Sequence, residues 1–100
     1  MNRFRLSRRA EADIAEIRRY ISRDNASAAD RLIGDFFDLF QSLGTNPEIG
    51  QQRPELRLDL RSISHGNYVV FFYPAENGAD IVGVIHGARD IDTLFREGAR

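Results

Sequence analysis

The 100-residue sequence contains no cysteine, which excludes disulfides, thiolate catalysis and metal sites built from cysteine. Lysine is absent as well, because all 14 basic residues are arginine. The chain therefore offers no lysine for a Schiff base, for general acid catalysis or for a Walker-type phosphate loop. Its only histidines are His65 and His86, and their spacing matches no metal-ligand pattern. We expect neither a metal nor a cofactor.

Long apolar runs are missing too. No segment approaches the ~20 apolar residues that cross a bilayer, and residues 1–5 lead into no apolar signal segment. We therefore expect a cytoplasmic protein with no membrane contact. Hydrophobic residues make up 42% and charged residues 29%, as in ordinary globular proteins. The length supports a single domain, which we place at residues 1–96 with a flexible tail over residues 97–100.

Charge is unevenly distributed along the chain. Residues 1–23 hold seven arginines against three acidic residues, whereas residues 24–50 hold one arginine against five acidic residues. These two segments either attract each other or present a basic face to an acidic partner. The net charge of −1 argues against general nucleic-acid binding, and we expect no direct sequence-specific contact with DNA or RNA.

The first half of the chain predicts a strand and two helices. Residues 3–6 alternate between arginine and apolar side chains, Ser7 follows as a helix cap, and an apolar stripe runs to Ile21. Asn25 or Ser27 caps a second helix that Gly44 is expected to end. The apolar residues of this second helix span an arc of roughly 160°, wider than one core requires.

The width of this arc leaves two interpretations open. Phe37 and Leu39 lie at its opposite edges. Either the helix is buried on two sides within its own domain, or one edge is left for a partner.

The second half predicts antiparallel strands after a loop at residues 45–54. Strands are expected at residues 60–64, at residues 68–73, which Pro74 ends, and at residues 80–86 after an Asn-Gly hairpin. The strand at residues 68–73 is apolar on both faces, which indicates a central position. A turn and a short helix at residues 91–95 complete the order. The pattern predicts an α+β domain in which a helical hairpin packs on a small antiparallel β-sheet.

No pair of side chains is fixed by spacing as a catalytic dyad. The two histidines, with Tyr68 and Tyr73, are the available acids and bases, but these tyrosines are five residues apart and point to opposite faces of a strand. Arg61 and Arg89 are the candidates for phosphate contact. The residues therefore favour a binding module over an enzyme.

Five segments together resemble the ParE-type toxins of bacterial toxin–antitoxin systems, within the RelE/ParE superfamily. They read LSRRAEADI at residues 6–14, YI at 20–21 with DNASAADRL at 24–32, PEIG at 47–50 with RPEL at 53–56, LRSI at 60–63 with GNYVVFFY at 66–73, and HGARD at 86–90. The resemblance implies the RelE/ParE fold, inhibition of DNA gyrase, and neutralisation by a ParD-like antitoxin that lays an amphipathic segment on the toxin. On this resemblance, the candidate residues for antitoxin contact are Tyr20, Ile33, Phe37 and Leu39. The candidate residues for target contact are Arg61, His86, Arg89 and Phe95.

Two alternatives remain within this resemblance. The RelE branch of the superfamily cleaves messenger RNA on the ribosome with a lysine-containing basic cluster and a tyrosine near the C-terminus. This chain has no lysine, and Phe95 stands where such a tyrosine is expected. The other alternative is a non-toxic module that only binds its antitoxin.

Overall fold

Strand β1 (Arg3–Leu6) and helix α1 (Arg8–Ser22) follow each other closely in the computed structural model, which describes residues 3–87. The Ser7 hydroxyl accepts the Ala10 N–H at 3.0 Å, so Ser7 caps α1 as predicted. The same hydroxyl donates to the Val82 carbonyl at 3.2 Å. One side chain thus begins the helix and ties that end of the helix to the sheet.

Helix α2 (Ala26–Thr45) begins at Asn25, whose side chain accepts the Ala28 N–H at 3.0 Å. The predicted end at Gly44 is wrong, because the helix continues to Thr45. The glycine is required by packing. A Cβ at position 44 would lie 2.5 Å from the Arg3 carbonyl oxygen, so the absence of a side chain lets α2 approach the backbone of β1.

After a short 3-10 turn (Pro47–Ile49), the chain forms β2 (Gln51–Gln52), β3 (Arg61–His65), β4 (Tyr68–Ala75) and β5 (Gly78–His86). Pro74 does not end β4 as predicted. Strand β3 stops pairing opposite Phe72, so Pro74 lies where one edge of β4 is free and a residue without an N–H is tolerated. The predicted helix at residues 91–95, the tail, and the boundary at residue 96 lie outside the described residues.

The sheet has the order β1-β5-β4-β3-β2, which confirms the central position of β4. Strands β2 to β5 pair antiparallel with their neighbours, whereas β1 pairs parallel with β5. The sheet is therefore mixed, with one parallel edge strand contributed by the start of the chain. Two helices packed on this sheet confirm the predicted α+β class.

Both faces of the sheet carry apolar side chains. Tyr68 packs with the larger cluster and Tyr73 with the smaller one, which confirms that these two tyrosines point to opposite faces. The larger cluster lies between the sheet and the helices and includes Phe36, Phe40, Leu43, Val70, Phe72 and Ile81. The smaller cluster on the other face is formed by Leu60, Phe71, Val82 and Ile85.

Helix α1 covers the part of the β5 edge that β1 is too short to reach. The last pair between these strands joins Leu6 to Ile81. Beyond it, the Asp13 carboxylate accepts the Val84 N–H at 2.9 Å. A side chain therefore replaces a missing strand partner and holds α1 against β5.

Candidate partner-binding surface

One edge of the apolar arc on α2 packs against β1. The Phe37 ring meets the Phe4 ring edge-on with their centroids 5.8 Å apart, and it lies 5.5 Å from the Phe40 ring. Phe37 nevertheless remains 38% exposed. The apolar side chain at this edge is therefore partly buried within the domain, and its exposed part is accessible to a partner.

The other predicted contact residues of α2 lie deeper. Ile33 is only 9% exposed and belongs to the core between the helices and the sheet. Leu39 is half-buried against the same core. The helix is therefore largely buried on two sides within its own domain, and partner contact through Ile33 or Leu39 stays a prediction.

Tyr20 stands near the end of α1 and is 68% exposed. It is a large exposed side chain on the neighbouring helix, and its contact with an antitoxin stays a prediction. Its phenol contributes to raising the pKa of Tyr68 on β4. Partial burial of Tyr68 is the larger cause of that increase. Tyr68 therefore keeps its proton at neutral pH and presents a hydroxyl donor.

Three rings lie side by side at this end of the sheet. His65 of β3 pairs with Tyr68 of β4, and Tyr68 pairs with His86 of β5. Directly opposed residues on neighbouring strands share one face. The Tyr68 and His86 centroids are 5.2 Å apart, and the Phe36 ring of α2 lies 5.7 Å from His65 and 5.5 Å from Tyr68.

Sequence spacing did not reveal this row because a β-bulge sets it. Counting back from the pair Ala75–Gly78, regular pairing would place Ile85 opposite Tyr68. The register shifts by one residue between Phe71 and Phe72, and His86 takes that place instead. The informative signal was Tyr68 following the turn after His65, but the extra residue in β5 has no clear mark in the sequence.

The row is open to solvent at one side. His86 is exposed, and His65 and Tyr68 are half-buried. An open hollow of about 310 Å³ at this end of the sheet is lined by Ser64, Tyr68, Val69 and His86 and by the turn that contains Gly66. His65 Nε2 lies 3.8 Å from an Asp35 carboxylate oxygen, too far for a hydrogen bond.

Arg61, a predicted target-contact residue, is held by its own domain. Its guanidinium donates to the Gly50 carbonyl at 2.8 Å and to the Glu48 carbonyl at 3.2 Å, which fixes the loop before β2. Its contact with a target stays a prediction, and the structure gives it a local role. Arg89 and Phe95, the two other candidates beyond His86, lie outside the described residues.

Arg53 was not among the predicted candidates, but its guanidinium makes several contacts on the face of the sheet opposite the helices. It donates to Glu55 at 2.8 Å and to the Ser62 hydroxyl at 3.1 Å, and it lies 5.9 Å from the Phe71 ring centroid. These contacts link the loop before β3 to the sheet.

Metal binding and membrane insertion find no support in the part of the chain that the structure describes. Residues 3–87 contain no group of three or more histidine, aspartate or glutamate side chains placed to hold a metal. Among the same residues, no helix is long and apolar enough to span a bilayer.

Comparisons with known proteins agree with this architecture. A family model described as "ParE toxin of type II toxin-antitoxin system, parDE" matches residues 4–91. A solved structure titled "Chromosomal ParDE TA system from P. aeruginosa" is similar with a TM-score of 0.71 and 18% identity, covering 87% of this chain and 97% of that chain. At this identity the structural likeness speaks for the fold. No curated protein sequence matches the chain.

Proposed function

Because the chain belongs to the ParE toxin family of type II toxin–antitoxin systems, we propose that it inhibits DNA gyrase and that a ParD-like antitoxin neutralises it in the cytoplasm. One observation carries this proposal. The family match runs over residues 4–91 and so includes both helices and, apart from Arg3 of β1, all strands of the described fold.

We further propose that the toxin acts by binding its target and that it catalyses no bond cleavage. Arg61 would be the natural phosphate-contact residue of β3, but two loop carbonyls already occupy its guanidinium. An Asp35 carboxylate oxygen lies 3.8 Å from His65 Nε2, which is a loose arrangement for orienting a general base. These geometries support binding as the mode of action.

The exposed aromatic residues of the helical hairpin support antitoxin docking on this side. Tyr20 on α1 and Phe37 on α2 are large and exposed, and the Phe37 ring also contacts Phe40 of the buried core. An amphipathic helical segment needs such anchors, and aromatic side chains contribute strongly to protein interfaces. We propose that the antitoxin segment covers both residues.

A supercoiling assay with purified gyrase tests the activity. We expect the toxin to block supercoiling in proportion to its concentration, and the antitoxin from the adjacent gene to restore it. Folded toxin that leaves gyrase unaffected at large molar excess would contradict the proposal. Primer extension on translated message, run in parallel, would then reveal cuts within codons if the RelE-type alternative is correct. Antitoxin binding without either effect would identify a non-toxic module.

Calorimetric titration of the antitoxin tests the docking residues. Phe37→Ala removes a half-exposed ring, and we expect a loss of at least about tenfold in affinity. Leu58→Ala is the matched control, because Leu58 is 81% exposed in the loop before β3, away from the helical hairpin. Equal losses in the two variants would place the antitoxin elsewhere.

A further inference from the structure

An open hollow of about 510 Å³ is lined by residues of the loop before β3 and of β4, and we call it the proline hollow. Its lining includes three exposed apolar residues: Pro54 and Leu58 from the loop, and Pro74 from β4. Leu58 is the most exposed large hydrophobic side chain of residues 3–87. Single exposed apolar side chains are common on protein surfaces, whereas a group of them around one concavity is typical of an interaction site.

Hydrogen bonds within the loop fix the position of Leu58. The Arg53 N–H donates to the Leu60 carbonyl at 2.8 Å, and the Leu60 N–H donates to the Arg57 carbonyl at 3.2 Å. Asp59 in this turn has a φ of 66°, a conformation that glycine adopts at lower cost. The backbone therefore accepts an unfavourable conformation beside an exposed leucine. Because this backbone is already ordered, little conformational entropy is lost when a partner covers it.

Two charged side chains with unused hydrogen-bonding capacity also line the hollow. The Asp59 carboxylate has no hydrogen bond or ion pair with any residue in the described range 3–87. Arg61 donates to its two loop carbonyls through Nη1 alone, so its Nη2 group has no acceptor among the same residues. One carboxylate and one guanidinium give no excess of either sign, which argues against a nucleic acid or any other occupant of a single charge.

A second copy of this chain supplies the complementary surface, because a twofold axis brings the same patch of both copies together. We propose that the proline hollow is a contact between two copies of this chain. Leu58 of each copy packs on Pro54 and Pro74 of the other copy. Asp59 of each copy faces Arg61 of the other, so the opposite charges meet twice.

The position of the hollow makes this contact compatible with antitoxin binding. Leu56 and Leu60 of the same loop pack with the smaller apolar cluster, on the sheet face opposite the helices. A dimer formed here leaves Tyr20 and Phe37 of the helical hairpin uncovered on both copies. The inference therefore goes beyond the proposed function and does not depend on it. One loop and a few strand residues form a small contact, so we expect a weak dimer whose population depends on concentration.

Sedimentation equilibrium of the full chain from about 10 µM to about 1 mM tests the contact. We expect the average mass of the wild type to rise with concentration towards that of a dimer. Leu58→Asp should weaken the association at least about tenfold, without a change in thermal midpoint because the side chain is exposed. Ile49→Asp is the matched control, because Ile49 is an exposed aliphatic residue outside the hollow, and it should change the association less than about twofold. A wild type that stays monomeric over this range, or equal losses in the two variants, would overturn the proposal.

Exchange of the two charges tests the symmetry of the contact. Asp59→Arg sets arginine against arginine across the axis, and Arg61→Asp sets aspartate against aspartate, so each variant alone should be monomeric. An equimolar mixture of the two should form a mixed dimer, because opposite charges then face each other at both places. Circular dichroism checks that Arg61→Asp folds without its loop hydrogen bonds. Survival of the dimer in Asp59→Arg alone would overturn the arrangement even if Arg61→Asp does not fold.

The same Leu58→Asp variant distinguishes the other occupants. A monomeric wild type whose gyrase inhibition or antitoxin affinity is lost in Leu58→Asp would assign the hollow to that partner and refute the contact between copies. A monomeric wild type that inhibits gyrase and binds its antitoxin as Leu58→Asp does would refute the contact and leave the proposed function standing.

Discussion

Asp13 attaches α1 to β5 through a carboxylate that is mostly buried, and its replacement tests how the helical hairpin is held on the sheet. Oδ2 accepts the Val84 N–H at 2.9 Å, and Oδ1 accepts the Arg9 Nε–H at 2.9 Å. The Asp13 side chain is only 13% exposed. Two variants separate the hydrogen bond from the charge: Asp13→Ala removes both, and Asp13→Asn keeps an amide oxygen for Val84.

The hydrogen bond dominates the expected loss. In Asp13→Ala the Val84 N–H has no replacement acceptor, because β1 ends its pairing opposite Ile81. An unsatisfied buried donor costs about 1–3 kcal/mol, and we expect a fall of about 2 kcal/mol in the free energy of unfolding. Asp13→Asn should cost less than about 1 kcal/mol, since Arg9 is partly exposed and can turn to solvent.

The pH dependence has a definite sign. Burial raises the pKa of Asp13 from its usual value of 3.8, and it outweighs the opposing effects of the Val84 N–H and Arg9. The folded chain therefore holds this proton more tightly than the unfolded chain does. The resulting stabilisation is fully present below the unfolded pKa and is lost as the pH rises through the folded pKa. Asp13→Asn removes this titration.

Urea unfolding followed by circular dichroism measures these effects at about pH 7 and again below the usual aspartate pKa of 3.8, where the stabilisation is fully present. The stability of the wild type relative to Asp13→Asn should increase at the lower pH. Asp38→Asn is the control, because Asp38 is exposed on α2 and its carboxylate has no partner among the described residues. The reasoning is refuted if Asp13→Ala is as mild as Asp38→Asn, or if Asp13→Asn costs as much as Asp13→Ala.

Three further substitutions give measurable outcomes in thermal or urea unfolding. Gly44→Ala should destabilise the protein by about 1–3 kcal/mol, because the new Cβ would lie 2.5 Å from the Arg3 carbonyl oxygen. Gly34→Ala should stabilise it by about 0.5–1 kcal/mol, because a Cβ at that position meets nothing within 4 Å. The opposite order of stability would contradict the packing argument. Arg61→Ala should lower the free energy of unfolding by about 1–3 kcal/mol, because two loop carbonyls lose their hydrogen-bond donor. An unchanged stability would show that this guanidinium does not stabilise the loop. Ser7→Ala should cost about 0.5–2 kcal/mol as a lost helix cap, and a change within error would show that solvent replaces it.

Local sequence signals predicted the fold class and most elements because they act over a few residues. Caps such as Ser7 and Asn25 place an oxygen beside free N–H groups of the first turn, and this requirement is met by the neighbouring residues alone. The two-sided apolar strand likewise indicated that β4 is central.

Predictions failed where a distant part of the chain decided the outcome. The local sequence predicts that Gly44 ends the helix, but a glycine is needed there because the backbone of Arg3 in β1 packs against it. Pro74 reads as a strand terminator, but β3 ends too early to require its N–H. The parallel pairing of β1 with β5 joins the two ends of the described chain, which no local pattern encodes.

The row formed by His65, Tyr68 and His86 is the clearest case of such long-range control. It depends on a bulge that moves His86, in place of Ile85, opposite Tyr68. Just after the bulge, Asp13 of α1 holds the Val84 N–H, so the helix fixes the β5 register only two residues before His86. The side chain that secures α1 to the sheet therefore also helps to determine which ring faces Tyr68. For this reason the residue types of a candidate site can be recognised in the sequence, although the tertiary contacts that bring them together cannot.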